Sequence, residues 1–329
     1  MKTKLFNFTD EQIDCAARLI RQGQLVAFPT ETVYGLGANA LDEEAVKSTY
    51  VAKGRPIDNP EIVHVWCSEQ IETFAHVDQR AKLLIDAFMP GSLTLVLKKK
   101  PNLSSVVTAG FDTVGVRMPQ SEQARRFLQA CRVPVAAPSA NTSGRPSPTN
   151  WTAVKEDLDG KIAGILCGED CAVGIESTVL DTTKDGLVVL RPGVVTPSEI
   201  AKVVNQPVTV LTDPLSKVNS PGVRYTHYAP LCQMVLNVDG DKEKLISFYD
   251  KIASNGLNPV LLCDDVLGFG DRNVLSLGKS NEEVAQKAFS SLRFCEKNFD
   301  YIICSFLPKG EFGQSIQNRL MRSASNKIL

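Results

Sequence analysis

The sequence predicts an α/β protein with two domains, and three observations support this fold class. Predicted strands alternate with predicted helices over roughly the first two hundred residues, with glycine- and proline-rich turns between them. A shorter βα pattern begins at Met234, after a proline-rich segment. A chain of 329 residues is long enough for two domains. We expect an N-terminal twisted mixed sheet with helices around a concave cleft, and a smaller C-terminal Rossmann-like α/β domain.

The N-terminal elements follow from capping residues and apolar spacing. Thr9 and Gln12 resemble a capping box before apolar residues at helical spacing, and Gly23 ends that helix. Short apolar runs between turn residues predict strands at Leu25–Phe28, Ile62–Trp66, Leu93–Lys98, Val114–Arg117, Val135–Ala137, Ile162–Cys167, Ser177–Asp181 and Leu187–Leu190. The helices that alternate with them are predicted at residues 42–54, 79–88, 121–131, 149–158 and 197–205.

The change in composition after the last of these helices predicts the domain boundaries. We expect an N-terminal domain at residues 1–206, a linker at 207–233 and a C-terminal domain at 234–329. The linker carries Ser220–Pro230, in which two tyrosines, an arginine and a histidine lie close together, and this composition predicts a binding contact rather than a simple spacer. Further strands are predicted at Met234–Val238, Pro259–Cys263, Val274–Leu277 and Tyr301–Ser305, and further helices at 241–254, 281–297 and 313–326.

Composition and charge exclude several classes of protein. The net charge of −1 provides no overall basic field, so we expect at most weak, local RNA binding. No apolar stretch reaches the length of a membrane span, and no apolar leader precedes the first helix, so we expect a soluble, cytoplasmic protein without membrane contact. The nine cysteines lack zinc-binding spacing and are expected to be buried thiols in a reducing cytosol.

The segment Lys53–His64 carries the strongest functional signal in the chain. Pro56 and Pro60 prevent helix formation, and Lys53, Arg55 and Asn59 could all face an oligophosphate or a carboxylate. A basic surface turn has the same composition, and this segment alone does not decide between the two.

Two polar segments follow predicted strands. In Pro29–Ala40, Gly35-Leu36-Gly37 with Ala40 satisfies a relaxed dinucleotide fingerprint, but the long preceding turn and the late helix argue against that function. The alternating Thr30, Thr32 and Tyr34 would instead present three hydroxyls on one face of an extended backbone. Pro138–Thr149 brings hydroxyls, Asn141 and Arg145 to a strand end, where open α/β sheets bind ligands.

In this otherwise neutral protein, five cations fall at strand ends or in loops: Lys53, Arg55, Arg117, Arg145 and Arg191. No Ser-His-Asp order, Cys-His pair or P-loop accompanies them. A site made of cations, hydroxyls and amides, with few acidic residues, is suited to positioning a phosphate and stabilising its charge. It is less suited to nucleophilic catalysis.

Taken in order, these segments closely resemble the two-domain synthases of the YrdC-like family. The matching segments are Pro29–Gly37, Lys53–His64, Pro90–Thr94, Val116–Pro119, Pro138–Asn141, Arg145–Pro148, Glu176–Thr178, Arg191–Gly193, Ser220–Pro230 and Ile316–Leu320. Their joint occurrence is specific, although no single motif is decisive. Ser92 departs from the family, which usually has a second proline there, and we expect this to change loop stiffness without touching a ligand group.

The resemblance implies a threonylcarbamoyl-AMP synthase, a nucleotidyltransferase. L-threonine, bicarbonate (or CO2) and ATP would give L-threonylcarbamoyladenylate and pyrophosphate, for the N6-threonylcarbamoyl modification of adenosine 37 in tRNAs that read codons starting with A. Mg²⁺ would accompany ATP, held mainly by its phosphates, without a protein metal site or a tightly bound cofactor. The downstream threonylcarbamoyl-transferase machinery is the expected protein partner.

The resemblance also assigns residues to the two substrates. L-threonine would bind Thr32, His64, Arg117 and Ser177, with Arg117 at its carboxylate. The ATP side would be lined by Lys53, Arg55, Asn59, Ser139, Asn141, Ser147, Arg191 and Tyr225. Lys53 and Arg55 would be the catalytic residues of the N-terminal, catalytic domain, and Tyr225 would bring the linker into contact with the active site. Two alternatives remain: a nucleic-acid-binding module, and a carbamoyl-transfer domain of a larger maturation enzyme, although the other parts of such an enzyme are missing here.

Overall fold

In the computed structural model, which describes residues 2–211, 228–264 and 267–329, the chain divides into two compact units. Of the described residues, the first unit contains 2–143, 148–172 and 176–211. The second contains 144–147, 173–175, 228–264 and 267–329. The two short segments in the second unit differ from the predicted boundaries, because residues far apart in sequence pack together there.

The first unit is built on a mixed sheet of eleven strands among its described residues. The strands are β1 (Lys4–Phe6), β2 (Val26–Phe28), β3 (Gly35–Asn39), β4 (Ile62–His64), β5 (Leu93–Lys98), β6 (Thr113–Arg117), β7 (Val135–Ala136), β8 (Gly164–Leu166), β9 (Thr178–Asp181), β10 (Leu187–Arg191) and β11 (Val208–Val210). Their order across the sheet is β1-β8-β2-β3-β7-β4-β6-β5-β9-β10-β11. The central strands are short and almost entirely buried, which explains why they read as apolar runs.

Helices surround this sheet, and most begin at a side-chain cap. They are α1 (Asp10–Arg21), α2 (Glu43–Lys53), α3 (Ser68–Glu72), α4 (Gln79–Phe88), α5 (Glu122–Cys131), α6 (Trp151–Leu158) and α7 (Pro197–Val204). Thr9 caps α1 as predicted, and Asp42 caps α2 through the backbone N–H groups of Glu44 and Ala45. Gly54 ends α2 in the left-handed conformation, at φ 62°, which directs the chain into the Lys53–His64 segment.

The structure departs from the predicted elements at four places. Gly35–Asn39, read as a glycine-rich turn, is strand β3 and pairs antiparallel with β2. Val208–Val210, assigned to the linker, is strand β11 and pairs with β10, so the sheet continues past residue 206. The short elements β1 and α3 were not predicted, because three to five residues carry too little periodicity to detect.

The second unit contains a smaller parallel sheet. Its strands are β12 (Gln233–Asn237), β13 (Pro259–Cys263), β14 (Val274–Ser276) and β15 (Tyr301–Ser305), in the order β12-β15-β13-β14. Its helices are α8 (Lys242–Ser254), α9 (Asn281–Asn298) and α10 (Gly310–Ser323). The predicted fold class, a large mixed sheet and a smaller α/β domain, is therefore confirmed. No helix in the described ranges combines the length and hydropathy needed to cross a membrane.

Candidate active site

One edge of the large sheet gathers polar side chains from distant parts of the chain. β4 and β6 run parallel, whereas β5 runs antiparallel to β6, so the last residues of β4 and β6 lie where β5 and β9 begin. His64 and Arg117 are paired in register at this edge. Ser177 directly precedes β9, and Arg191 ends the neighbouring strand β10. Four predicted site residues therefore lie along one edge of the sheet.

Arg117 is the centre of this group and is 4% exposed. Its Nη1 donates to the Thr32 hydroxyl at 2.7 Å, and its Nε donates to the Gly91 carbonyl at 3.2 Å. Its Nη2 makes an ion pair with the Glu31 carboxylate at 2.5 Å. The structure thus joins Thr32 and Arg117, which were both assigned to the threonine side, although 85 residues separate them in sequence.

Glu31 is a functional candidate that the sequence analysis did not identify. Its carboxylate is buried, and it accepts hydrogen bonds from the backbone N–H groups of Gln120 and Ser121 as well as from Arg117. Burial alone would raise the pKa of Glu31, but the charge of Arg117 and these hydrogen bonds lower it below its usual value. The carboxylate is therefore ionised. The sequence signal for Glu31 was a glutamate between two threonines in an otherwise buried segment. Its ion-pair partner, Arg117, could not be predicted from the sequence.

Ser177 and Arg191 form a second polar group, at the start of β9 and the end of β10, which β5 separates from Arg117's strand β6. The Ser177 hydroxyl shares a 2.8 Å hydrogen bond with Thr94, and Arg191 donates to both the hydroxyl and the carbonyl of Ser177, at 3.2 and 3.1 Å. Gly193 permits this close approach, since a Cβ there would lie 2.5 Å from the Thr178 nitrogen. Arg191, assigned to ATP, therefore contacts a residue assigned to threonine, and Thr94 is a further member that the sequence analysis missed.

His64 is buried and neutral. Burial, together with the neighbouring Arg117, lowers its pKa to about 3. Its Nδ1 lies 3.2 Å from the Ile62 carbonyl, which can only accept, so the tautomer with the proton on Nδ1 makes this hydrogen bond and leaves Nε2 as an acceptor. Phe28 packs edge-on against the ring, with centroids 6.0 Å apart. A neutral imidazole in this position can accept a hydrogen bond from a substrate hydroxyl or amine.

Lys53 joins the end of α2 to the loop after β7. Its ammonium group is buried and donates to the carbonyls of Ser139 and, at 2.6 Å, Asn141. Within the loop, the Ser139 hydroxyl donates to the Asn141 side chain at 2.5 Å. The structure therefore brings together Lys53, Ser139 and Asn141, which were all assigned to the ATP side.

Arg55 and Asn59 occupy the loop that follows Lys53. The Arg55 guanidinium donates to the carbonyls of Asn59 and Pro60, at 3.3 and 3.1 Å, and so holds the loop closed. Both polar atoms of the Asn59 side chain are buried without a hydrogen-bond partner among the described residues. Glu61, two residues after Asn59, is also buried and accepts a hydrogen bond from the Thr49 hydroxyl. Burial raises the pKa of Glu61 to about 7.

The Thr30–Tyr34 segment forms a turn rather than the extended hydroxyl row we expected. The Thr30 hydroxyl oxygen accepts from the backbone nitrogens of Thr32 and Val33, at 3.1 and 3.3 Å. The Tyr34 hydroxyl instead accepts from the Gly168 nitrogen at 3.1 Å, so it does not share a face with Thr32. The glycines that follow belong to β3 and not to a helix N-terminus, which also removes the dinucleotide interpretation.

Two further predicted residues fall outside this edge. Ser147 belongs to the second unit, where it is buried. In the same unit, Arg145 makes an ion pair with the buried Glu296, and Arg293 donates to the Pro146 carbonyl at 2.7 Å. Arg145, considered a ligand-binding residue from sequence, therefore anchors its own loop.

Tyr225 lies outside the described residues, so its assignment to ATP remains a prediction. Tyr228, from the same aromatic segment, is described and is buried in the second unit. Its ring stacks on Phe289, with centroids 5.1 Å apart, and Arg319 lies over it at 5.8 Å. Tyr228 therefore packs within the second unit.

Neither metal ligands nor disulfides organise the described residues. No three His, Cys, Asp or Glu side chains within the described ranges are arranged to hold a metal ion. All nine cysteines are free thiols, and five of them are buried: Cys131, Cys171, Cys263, Cys295 and Cys304.

Comparison with known proteins identifies the family. The Sua5/YciO/YrdC family model, described as "Telomere recombination", matches residues 18–193, and the "Threonylcarbamoyl-AMP synthase, C-terminal domain" model matches residues 195–325. The threonylcarbamoyl-AMP synthase of Bacillus subtilis is 43% identical and covers the full length of both chains. That of Pyrococcus abyssi is 40% identical over 97% of this chain and 95% of its own.

A solved structure supports the same conclusion. The crystal structure of Pyrococcus abyssi Sua5 complexed with L-threonine superposes with a TM-score of 0.94, at 38% identity and 99% coverage of both chains. This chain belongs to the Sua5/YciO/YrdC family, in its two-domain form.

Proposed function

We propose that this chain is an L-threonylcarbamoyladenylate synthase that supplies the N6-threonylcarbamoyl group for adenosine 37 of tRNAs reading codons that start with A. The observation that carries this proposal is the buried Arg117, whose ion pair with Glu31 and hydrogen bond to Thr32 create a fixed cation for a small carboxylate. Full-length relatives that carry the synthase name add independent support.

The threonine end of the proposed site consists of Thr32, His64, Arg117 and Ser177. Arg117 would bind the carboxylate, since a guanidinium matches that group in two parallel hydrogen bonds. The neutral His64 and the hydroxyl of Ser177 would accept or donate to the amine and the side-chain hydroxyl of threonine.

The ATP end is proposed to include the Lys53 and Arg55 loop, Asn59, and the Ser139–Asn141 loop, together with Ser147, Arg191 and Tyr225. The unpartnered amide of Asn59 supports this assignment, because a buried polar group without a partner is costly unless a ligand satisfies it. Lys53 and Arg55 would neutralise the charge that develops on the phosphates.

The reaction requires alignment and charge stabilisation more than a nucleophilic side chain. The threonine amine adds to CO2 and loses a proton, giving a carbamate. A carbamate oxygen then attacks the α-phosphorus, the bond to the bridging α–β oxygen breaks, and pyrophosphate leaves. The cations of the site would stabilise the leaving pyrophosphate.

Mg²⁺ and the remaining partners belong to the same proposal. Mg²⁺ would enter with ATP and be held mainly by its phosphates, which fits a donor set of cations, hydroxyls and amides. The activated product would pass to the threonylcarbamoyl-transferase machinery, and the reaction would take place in the cytoplasm, with RNA bound weakly at most.

Pyrophosphate release tests the proposed function. The purified protein is incubated with Mg²⁺ and ATP, with L-threonine and bicarbonate added separately and together. We expect release only when all substrates are present, and D-threonine serves as the matched control. Release that does not require threonine, or RNA binding without any release, would reject the synthase in favour of another activity.

A further inference from the structure

Glu31 uses both carboxylate oxygens in hydrogen bonds. Oε1 accepts from Nη2 of Arg117 at 2.5 Å and from the Ser92 hydroxyl at 3.1 Å. Oε2 accepts from the backbone N–H of Gln120 at 3.0 Å and of Ser121 at 3.4 Å. Ser121 is the N-cap of α5, so the carboxylate is fixed to the start of a helix.

This arrangement determines how Arg117 can bind a substrate. Each of its three nitrogens makes one hydrogen bond, to Gly91, Thr32 and Glu31. A guanidinium has five N–H groups, so one remains on each terminal nitrogen. These two N–H groups can bind a second carboxylate, provided that the guanidinium keeps its orientation.

We propose that Glu31 is a positioning residue for substrate binding: its carboxylate locks the guanidinium of Arg117 so that the two remaining N–H groups receive the carboxylate of L-threonine. The proposal rests on the threonine assignment made above. It extends to Ser92, whose hydroxyl donates to the Glu31 carboxylate and would act on Arg117 only through Glu31.

The charges of the site are compatible with this role. Glu31 neutralises Arg117 when the site is empty, so the arginine does not remain as an unpaired buried charge. A bound threonine carboxylate adds a second negative charge, and Arg191, which lies 3.2 Å from the Ser177 hydroxyl, provides a second cation at the same edge of the sheet.

Glu31→Gln tests the proposal, because it preserves shape and removes the charge that holds Arg117. We expect the Kd and KM for L-threonine to rise about tenfold or more, because the guanidinium of Arg117 is no longer held in one orientation. The Kd for ATP and kcat should stay within about threefold, since threonine positioning does not reach the phosphates. Glu122→Gln, an exposed glutamate in the first turn of α5, is the matched control and should leave all four constants unchanged.

Two further variants keep the test decisive if Glu31→Gln folds poorly. Glu31→Asp keeps the charge and should restore part of the threonine affinity. Ser92→Ala removes a single hydrogen bond, and should raise the threonine Kd by about two- to fivefold. Unchanged threonine affinity in Glu31→Gln, or an equal loss of threonine affinity, ATP affinity and kcat, would overturn the positioning role.

Calorimetric titration of threonine separates this proposal from the proposed function. If the wild-type protein binds threonine but releases no pyrophosphate, the synthase assignment fails while the Glu31 proposal can still be tested. If threonine binds and Glu31→Gln binds it equally well, the Glu31 proposal alone fails.

Discussion

At the scale of single residues, burial and neighbouring charge determine which side chains of the first unit are ionised. Burial with Arg117 nearby keeps His64 neutral, whereas Arg117 keeps the equally buried Glu31 charged. Glu61 differs from both, because it lies beneath the Lys53–Arg55 loop with one carboxylate oxygen lacking a hydrogen-bond partner among the described residues. Burial raises the pKa of Glu61 to about 7, so this carboxyl group titrates near neutral pH.

Glu61 makes the stability of the protein depend on pH. Its pKa in the folded protein, about 7, is above its unfolded value, so its stabilising contribution is present below about pH 4.5 and is lost as pH rises through 7. We predict that Glu61→Gln removes this loss. Between pH 5 and pH 8 the free energy of unfolding of the wild type should fall about 1–3 kcal/mol more than that of the variant.

Chemical denaturation at the two pH values measures this difference. The matched control is Glu72→Gln, an exposed glutamate in α3 of the same unit, which should follow the wild-type pH dependence. Identical pH dependence in the wild type and Glu61→Gln would show that Glu61 is ionised throughout this range.

The strand-end positions of several site candidates could be predicted from sequence. Arg117, Ser177 and Arg191 were expected at strand ends, and the structure places them at one edge of the sheet. Glu31 was missed because its importance depends on an ion pair with a residue 86 positions away. A single carboxylate in a polar turn gives no sign of such a partner.

At the scale of secondary structure, strand pairing overrides local propensity near the site. Gly-Leu-Gly-Ala-Asn has little intrinsic preference for a strand, and yet Gly35–Asn39 forms β3 between β2 and β7. The glycines fit there because Phe28 and Val135 pack closely above them. The apolar runs of β2 and β5 were predicted correctly, since burial on both faces of the sheet requires such residues.

Gly193 follows strand β10 and lies so close to the start of β9 that we expect any side chain at this position to lower stability. An alanine Cβ would lie 2.5 Å from the Thr178 nitrogen and 2.7 Å from its hydroxyl, so the backbone carrying Ser177 must shift. We predict that Gly193→Ala lowers the free energy of unfolding by about 1–3 kcal/mol and weakens threonine binding.

Thermal unfolding and threonine calorimetry measure both effects. Gly186→Ala is the control, because a Cβ at Gly186 meets no atom within 4 Å, and it should leave stability and affinity unchanged. Wild-type affinity for threonine in the Gly193→Ala protein would show that this turn does not contribute to threonine binding.

At the scale of the whole molecule, the loop 144–147 belongs to the second compact unit and carries Ser147, which we assign to ATP. Arg293 donates to the Pro146 carbonyl through two nitrogens, at 3.1 and 2.7 Å, and Glu296 pairs with Arg145. This arrangement could not be predicted from the sequence, because neither α9 residue lies in a recognisable motif. Within the second unit, α9 therefore holds the 144–147 loop in place.

This anchoring predicts a selective kinetic defect. Arg293→Ala should raise the KM for ATP by about five- to tenfold, because the loop carrying Ser147 loses its contact, while the Kd for threonine stays the same. Steady-state pyrophosphate release measures the KM, and Lys287→Gln, an exposed change on the same helix, is the control. An unchanged KM for ATP would mean that the loop does not contribute to nucleotide binding.

The central claim is that threonine and ATP bind different groups of residues in this chain, and parallel calorimetric titrations of Arg117→Ala and Arg55→Ala test it most directly. Arg117→Ala should weaken threonine binding about a hundredfold and leave the ATP affinity within about threefold of wild type, because we propose its buried guanidinium as the group that binds the threonine carboxylate. Arg55→Ala should show the opposite pattern. Unchanged threonine affinity in a folded Arg117→Ala protein would contradict the account.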